Sequence, residues 1–162
     1  MTSTTDGSAP EQVAFGDLQG LEGRTLGPGN PVTITQQQID QFAEASLDDQ
    51  WIHTDPARAA AGPFGTTIAH GYLTLSLASR LLFDLLEVTG ASSVVNYGLD
   101  KVRFPAPVPV GSALRMTVTF TTVTAVAGGY QVAYEGAIRA DGQDKPSCVL
   151  QGLFRYYGPE AS

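Results

Sequence analysis

The chain has 162 residues, 43% hydrophobic and 15% charged, with 16 acidic side chains against 9 basic ones and a formal charge of −7. That balance excludes a disordered acidic chain and fits one domain, which at this length buries about 68–70% of its unfolded surface without staples. The acids Asp6, Glu11, Asp17, Glu22, Asp40, Glu44, Asp48, Asp49 and Asp55 crowd the first third, opposed there only by Arg24 and Arg58. That is the wrong sign for a nucleic-acid binder.

Residues 1–12 are rich in Ser, Thr, Asp, Gly and Pro and are expected to form a disordered tail, with residues 13–157 as one domain and 158–162 as a short C-terminal tail. No basic n-region or apolar h-region opens the chain, and Cys148 is the single cysteine. Both fit a cytoplasmic protein in a reducing compartment. Gly20 to Pro31 reads as a loop leading into a short strand, Val32-Thr33-Ile34. Thr35 is an N-cap with Gln38 in capping-box position, and Ile39, Phe42 and Ala43 supply the apolar stripe of a helix ending near Ser46. Leu47 to Gly65 is irregular, except that Asp55-Pro56 predicts an N-cap with Pro at N1 and a short helix through Ala61.

A long helix is predicted from Gly71 to about Leu86, apolar nearly all round and so wrapped by protein on several sides. Thr74, Ser76, Ser79, Arg80, Asp84 and Glu87 make the stretch too polar to span a membrane. From Ser92 the period becomes two. Four strands are predicted: Ser93 to Phe104, Ala113 to Ala125, Tyr130 to Ala140 and Ser147 to Tyr157. Gly128-Gly129 and Asp141-Gly142 are their turns, and Pro105, Pro107 and Pro109 break the chain between the first two. The implied class is α+β, a sheet curled around a buried helix.

Asp48 and His53 lie five residues apart, about 140° apart on a helix, so they converge only on irregular backbone. A carboxylate and an imidazole brought together can share and activate a water. Gly71 opens the long helix, where unpaired N–H groups point outward and favour developing negative charge. His53, Asp55, His70 and Cys148 match no zinc spacing, and no metal is expected. Asp55 reads as a cap, Cys148 as a small buried hydrophobe, and Lys101 and Arg103 as a solvated strand face.

Three blocks resemble one family. The run Ser46-Leu47-Asp48-Asp49-Gln50-Trp51-Ile52-His53-Thr54-Asp55-Pro56 is similar to the hydratase-2 motif of the MaoC-like dehydratases, the (R)-specific enoyl-CoA hydratases. Ala60 to Gly71 and Asn96 to Gly111 resemble the same family, so the likeness covers about residues 30–157. It implies a hot-dog fold, a long helix wrapped by a curved antiparallel sheet. It implies Asp48 and His53 as the catalytic pair and Gly71 N–H as the donor to the thioester oxygen. Gln50, His70, Asn96 and Tyr97 are candidate site-lining residues.

The implied reaction is hydration of a trans-2-enoyl thioester to the (R)-3-hydroxyacyl thioester, or its reverse. No cofactor is expected, since the coenzyme A or carrier protein is part of the substrate. A homodimer is expected, with neither nucleic acid nor membrane as partner. One departure from the family pattern is Leu47, where Gly usually precedes the Asp. A leucine resists a left-handed turn, so the loop is expected to differ. The rival readings are a hot-dog thioesterase and a non-catalytic acyl-thioester-binding relative.

Overall fold

A computed structural model describes residues 9–159. Four strands carry most of the architecture: β5 (Ser93–Arg103), β6 (Ala113–Val126), β7 (Gly129–Ala140) and β8 (Cys148–Tyr157). Their antiparallel order is β6-β7-β8-β5, extended by the short strands β2 (Thr25–Leu26) and β3 (Val32–Thr33), both paired to β6. Along β6, β7 and β8 burial alternates strictly over long runs, so one face of each strand enters the core. Leu114, Met116, Val118 and Phe120 face inward from β6, Val132, Tyr134 and Ile138 from β7, and Leu150, Phe154 and Tyr156 from β8. Gly152 is required among them, because the Tyr134 ring occupies the space a Cβ would need.

Against this face lies the central helix, made of α4 (Gly71–Ser76) and α5 (Ala78–Phe83). Leu73, Ala78, Leu81 and Leu82 bury into the same core. The helix differs from the sequence expectation in three ways. It tightens at Leu77, whose N–H bonds to the Thr74 carbonyl three residues back rather than four. It stops at Phe83, and Leu86 instead opens strand β4 (Leu86–Thr89). It is also not covered all round, since Tyr72 is 71% and Phe83 40% exposed.

Strand β1 (Glu11–Ala14) pairs in parallel with β4, so Glu11 and Gln12, read from sequence as tail, are ordered chain. Residues 1–8 of that tail reading, and residues 160–162 of the C-terminal one, lie outside the described residues. The predicted loop from Gly20 likewise contains the end of a 3-10 helix (Phe15–Leu21) and β2. Leu18 and Leu21 explain this, being fully buried anchors that pin the segment to the core. The β6–β7 turn is Ala127-Gly128 rather than Gly128-Gly129; Gly128 takes the positive φ of 78° and Gly129 already pairs with Tyr157.

Helix α1 (Gln36–Ser46) starts with the expected capping box, Thr35 and Gln38 exchanging hydrogen bonds. Short helices α2 (Trp51–Thr54) and α3 (Pro56–Ala60) follow, and the Asp55 carboxylate caps α3 by accepting from Arg58 N–H at 2.9 Å. Among the described residues no helix is long and apolar enough to cross a membrane.

Candidate active site

The site is assembled where α1, α2 and the start of α4 meet. Helix α1 ends at Ser46, whose hydroxyl bonds back to the Phe42 carbonyl at 2.6 Å. The chain then reverses at Leu47, with φ 61° and ψ 21°. The left-handed turn expected to be disfavoured by leucine is therefore made by leucine, at a cost of about 1–2 kcal/mol. Its side chain is 87% exposed, so nothing crowds it. The reversal turns the chain back along α1, and Gln50, extended at φ −53° and ψ 137°, launches the single turn of α2. This irregular path lets side chains five residues apart converge. One potential ligand atom from each of Asp48, His53 and His70 lies within 4.8 Å of the other two.

His53 is buried, and its Nδ1 lies 2.6 Å from the Ile68 carbonyl. A carbonyl only accepts, so Nδ1–H donates and Nε2 keeps its lone pair for the site. Burial is the largest influence on this imidazole and pulls its pKa below 6.5; the neighbouring His70 pulls the same way, while the Ile68 carbonyl and Asp48 oppose them. The net direction is down, so the ring is neutral and able to accept a proton at neutral pH. Asp48, by contrast, is exposed.

The backbone of His53 is braced as well. Gln36, in the first turn of α1, donates from Nε2 to the His53 carbonyl at 2.7 Å and to Asp40 Oδ1 at 2.9 Å. Its Oε1 accepts from the buried Thr67 hydroxyl at 2.5 Å. Ile68 N–H bonds to the Ile52 carbonyl at 3.0 Å, joining the same segment to α2.

His70 stacks on His53 with ring centroids 3.8 Å apart and planes 23° from parallel. In-plane lone pairs of rings so arranged run side by side rather than meeting at one point. The arrangement suits a water held between a carboxylate and an imidazole better than the convergent ligand shell of a metal ion.

A cavity of about 290 Å³ opens beside this group, lined by His53, Gly71, Thr74, Phe64, Phe104 and Ser147, among others. Gly71 heads the central helix, whose first N–H groups have no acceptor within the helix. A Cβ at Gly71 would lie 3.0 Å from the Phe104 ring, so glycine is what allows the aromatic wall and the helix start to meet.

The structure gathers Asp48, His53, His70 and Gly71 in one place. Gln50 sits at the head of α2 with an exposed side chain, its carbonyl accepting from His53 N–H at 2.9 Å. Asn96 and Tyr97 stand on β5 and line no part of this cavity. Asn96 reaches Ser79 at 3.4 Å, and the Tyr97 ring carries the Arg155 guanidinium 3.4 Å from its centroid. Nothing in the sequence marks Gln36, Phe42, Thr67 or Ser147 as site residues. A glutamine at the start of a helix reads as solvated surface, and only the pairing of α1 with the 67–69 segment turns it inward. Cys148 behaves as expected, since burial pushes its thiol up to about 11.

The profile of the MaoC like domain matches residues 17–139. The 3-hydroxyacyl-thioester dehydratase Z of Mycobacterium tuberculosis is 48% identical over 147 residues, covering 90% of this chain and 96% of that protein. Nodulation protein N of Rhizobium leguminosarum is 37% identical over 145 residues, covering 88% and 90%. Among solved structures, an (R)-hydratase from A. caviae involved in PHA biosynthesis superposes with a TM-score of 0.67 at 23% identity, over 85% of this chain and 96% of that one. At that identity the likeness is one of fold, the hot-dog arrangement of a central helix against a curved antiparallel sheet.

Proposed function

The chain belongs to the MaoC-like domain family, and from that premise we propose that it adds water to trans-2-enoyl thioesters to give (R)-3-hydroxyacyl thioesters, and catalyses the reverse dehydration. The observation that carries this reading is the convergence of Asp48 and a neutral His53 beside a cavity that begins at Gly71. The M. tuberculosis relative, named as a 3-hydroxyacyl-thioester dehydratase, supports the substrate class.

In this mechanism a water lies between the Asp48 carboxylate, which accepts one of its hydrogens, and His53 Nε2, which takes the other as a proton. The water oxygen bonds to Cβ as the C=C π bond breaks, and the electron pair moves through Cα onto the thioester oxygen. Gly71 N–H stabilises that enolate-like charge, aided by the helix dipole. The imidazolium then returns the proton to Cα, and water has been added with nothing left over. Dehydration retraces the same steps, because both directions share one transition state. The hydrogen bond from Nδ1 to Ile68 holds His53 in the tautomer this needs.

The same reading makes the protein a homodimer. β5 is a sheet edge with no further partner strand among the described residues, and Val94, Val95, Tyr97 and Leu99 on it are 38–52% exposed. A long apolar edge beside the open stripe of Tyr72 and Phe83 is the kind of surface that a second copy covers. A cytoplasmic location completes the reading, on the single buried Cys148.

The test is incubation with crotonyl-CoA and longer or branched enoyl-CoAs, following the conjugated-thioester absorbance. Loss of absorbance with (R)-3-hydroxyacyl product and intact thioester is expected. Free thiol release without hydration would instead make the protein a thioesterase, and no turnover across the series would leave it a binding relative.

A further inference from the structure

His70 has no step in the reaction above, yet it touches each part of the site. Its Nε2 lies 2.8 Å from the main-chain carbonyl of Asp48, so Nε2 carries the hydrogen and donates. Its ring stacks on His53, and Phe42 of α1 packs on it at 4.9 Å. Its own carbonyl accepts from the Thr74 N–H and hydroxyl, fixing it at the head of the helix that opens with Gly71.

Packing alone does not account for an imidazole here. The residue is 3% exposed, and its Nδ1 is the one buried side-chain nitrogen or oxygen without a hydrogen-bond partner among the described residues. An unpaired buried acceptor is unfavourable, and a phenylalanine would fill the space without one. What the imidazole adds is the Nε2 donor. The Asp48 turn has little else to hold it from outside its own segment: Asp48 N–H reaches only Ser46 Oγ, at 3.4 Å, the Asp49 carbonyl accepts from nearby Thr54, and the Gln50 carbonyl from Thr54 and from His53 N–H. The bond to His70 spans 22 residues and ties that turn to the oxyanion end of the site.

We propose that His70 is the positioning residue of this site, its Nε2–H holding the Asp48 turn at a fixed distance from Gly71 while its ring sets the plane of His53. The inference rests on the hydratase reading, in which the attacking water and the thioester oxygen must sit at fixed separation. A misplacement of about 1 Å between such groups costs on the order of 10²-fold in rate.

Two substitutions in the full chain separate the donor from the ring. His70→Phe keeps the flat ring and loses the donor; His70→Gln keeps an amide donor at about the same reach and loses the ring. The expected result is a loss of about 10²-fold in kcat for His70→Phe with KM within about threefold, and recovery to within about tenfold of wild type for His70→Gln. NMR titration of His53 is expected to move to higher pH in both, since His70 is among the causes holding it down. In the wild-type protein, long-range ¹H–¹⁵N spectra are expected to show His70 protonated on Nε2.

Wild-type kcat in a folded His70→Phe overturns the proposal. So does equal loss in both variants with His53 titrating as in wild type, or a wild-type His70 protonated on Nδ1. Should the wild type turn over no enoyl thioester, the hydratase reading fails, and the spectra still decide whether His70 holds the turn and sets the state of His53.

Discussion

The three-stranded centre of the sheet and the segment from Leu47 to Gly71 lie in one small protein and are held together by different means. In β6, β7 and β8 the inward face is apolar almost throughout, and Phe120, Phe154, Leu114, Met116 and Ile138 are among its largest fully buried side chains. Of the five buried polar residues among the described chain, three, His53, Thr67 and His70, fall between Leu47 and Gly71. There the backbone is short helical turns and reversals, and the ties are single hydrogen bonds: His53 to Ile68, His70 to Asp48, Gln36 to both Thr67 and the His53 carbonyl. The sheet is redundant, with many contacts doing one job. The site segment assigns one bond to one task. Damage to the first is expected in stability and damage to the second in rate.

The largest effect should come from the proposed catalytic pair. Asp48→Asn and His53→Gln are each expected to lower kcat/KM for an enoyl-CoA by about 10³-fold or more, with thermal unfolding near wild type for the exposed Asp48. A melting temperature that collapsed with Asp48→Asn would break the comparison. Next is its converse in the sheet. Phe154 stacks with Tyr134 at 5.5 Å and meets Phe83 at 5.7 Å. Phe154→Ala should cost about 3–5 kcal/mol in denaturant unfolding, while the molecules that remain folded keep their turnover.

Gln36→Leu tests the border between the two regions. It leaves the His53 carbonyl and the Thr67 hydroxyl without their partner, so a stability loss of about 1–3 kcal/mol should accompany a rate loss of about tenfold. Thr67→Ser, which keeps the hydroxyl, should be close to neutral in both.

The pH response follows from the lowered pKa of His53. A folded imidazole that titrates below its unfolded counterpart binds fewer protons than the unfolded chain does. Its stability contribution is therefore present above pH 6.5, declines as the pH falls from there, and is gone below the folded-state pKa. Wild type should show this acid slope in melting temperature and His53→Gln should lack that part of it. The acid limb of kcat/KM should lie below 6.5 for the same reason.

The smallest effect is expected at Leu47. Glycine would relieve the left-handed strain, about 1–2 kcal/mol, but adds about 0.5–1 kcal/mol of unfolded-state freedom. Leu47→Gly should thus stabilise by about 0.5–1 kcal/mol with activity unchanged; a loss of activity would mean that the leucine itself is used.

The two regions also differ in what their sequences reveal. Period-two alternation located β6 to β8 to within about a residue at most ends, because each of these strands buries one face and solvates the other; β5 was legible by its β-branched and aromatic residues although neither of its faces is buried in the single chain. The capping box at Thr35 and the Asp55-Pro56 cap were legible for the same kind of reason, since the interaction is completed within a few residues. The central helix was legible at its start and not at its end. Leu85 and Leu86 look like continued helix, and only pairing with β1, more than seventy residues away, makes Leu86 to Thr89 a strand. In the site segment the Asp48 and His53 motif could be read, but not the turn that brings the two together, and leucine at the turn argued against it. Tertiary packing held the left-handed conformation that local preference opposes.

What the sequence by itself determined is whatever is encoded in spacing: strand alternation, caps, an apolar helix, and a motif specific enough to name a family. What only the tertiary structure decided is which groups meet across long separations. Gln36 reaches His53 and Thr67, His70 reaches Asp48, and β1 reaches β4. Such contacts leave no periodic trace, because each is a single directed bond or a pairing whose partner lies elsewhere in the chain. The burial of His53 that keeps it neutral belongs to this second class, since a histidine in sequence carries no sign of the dielectric in which it will sit.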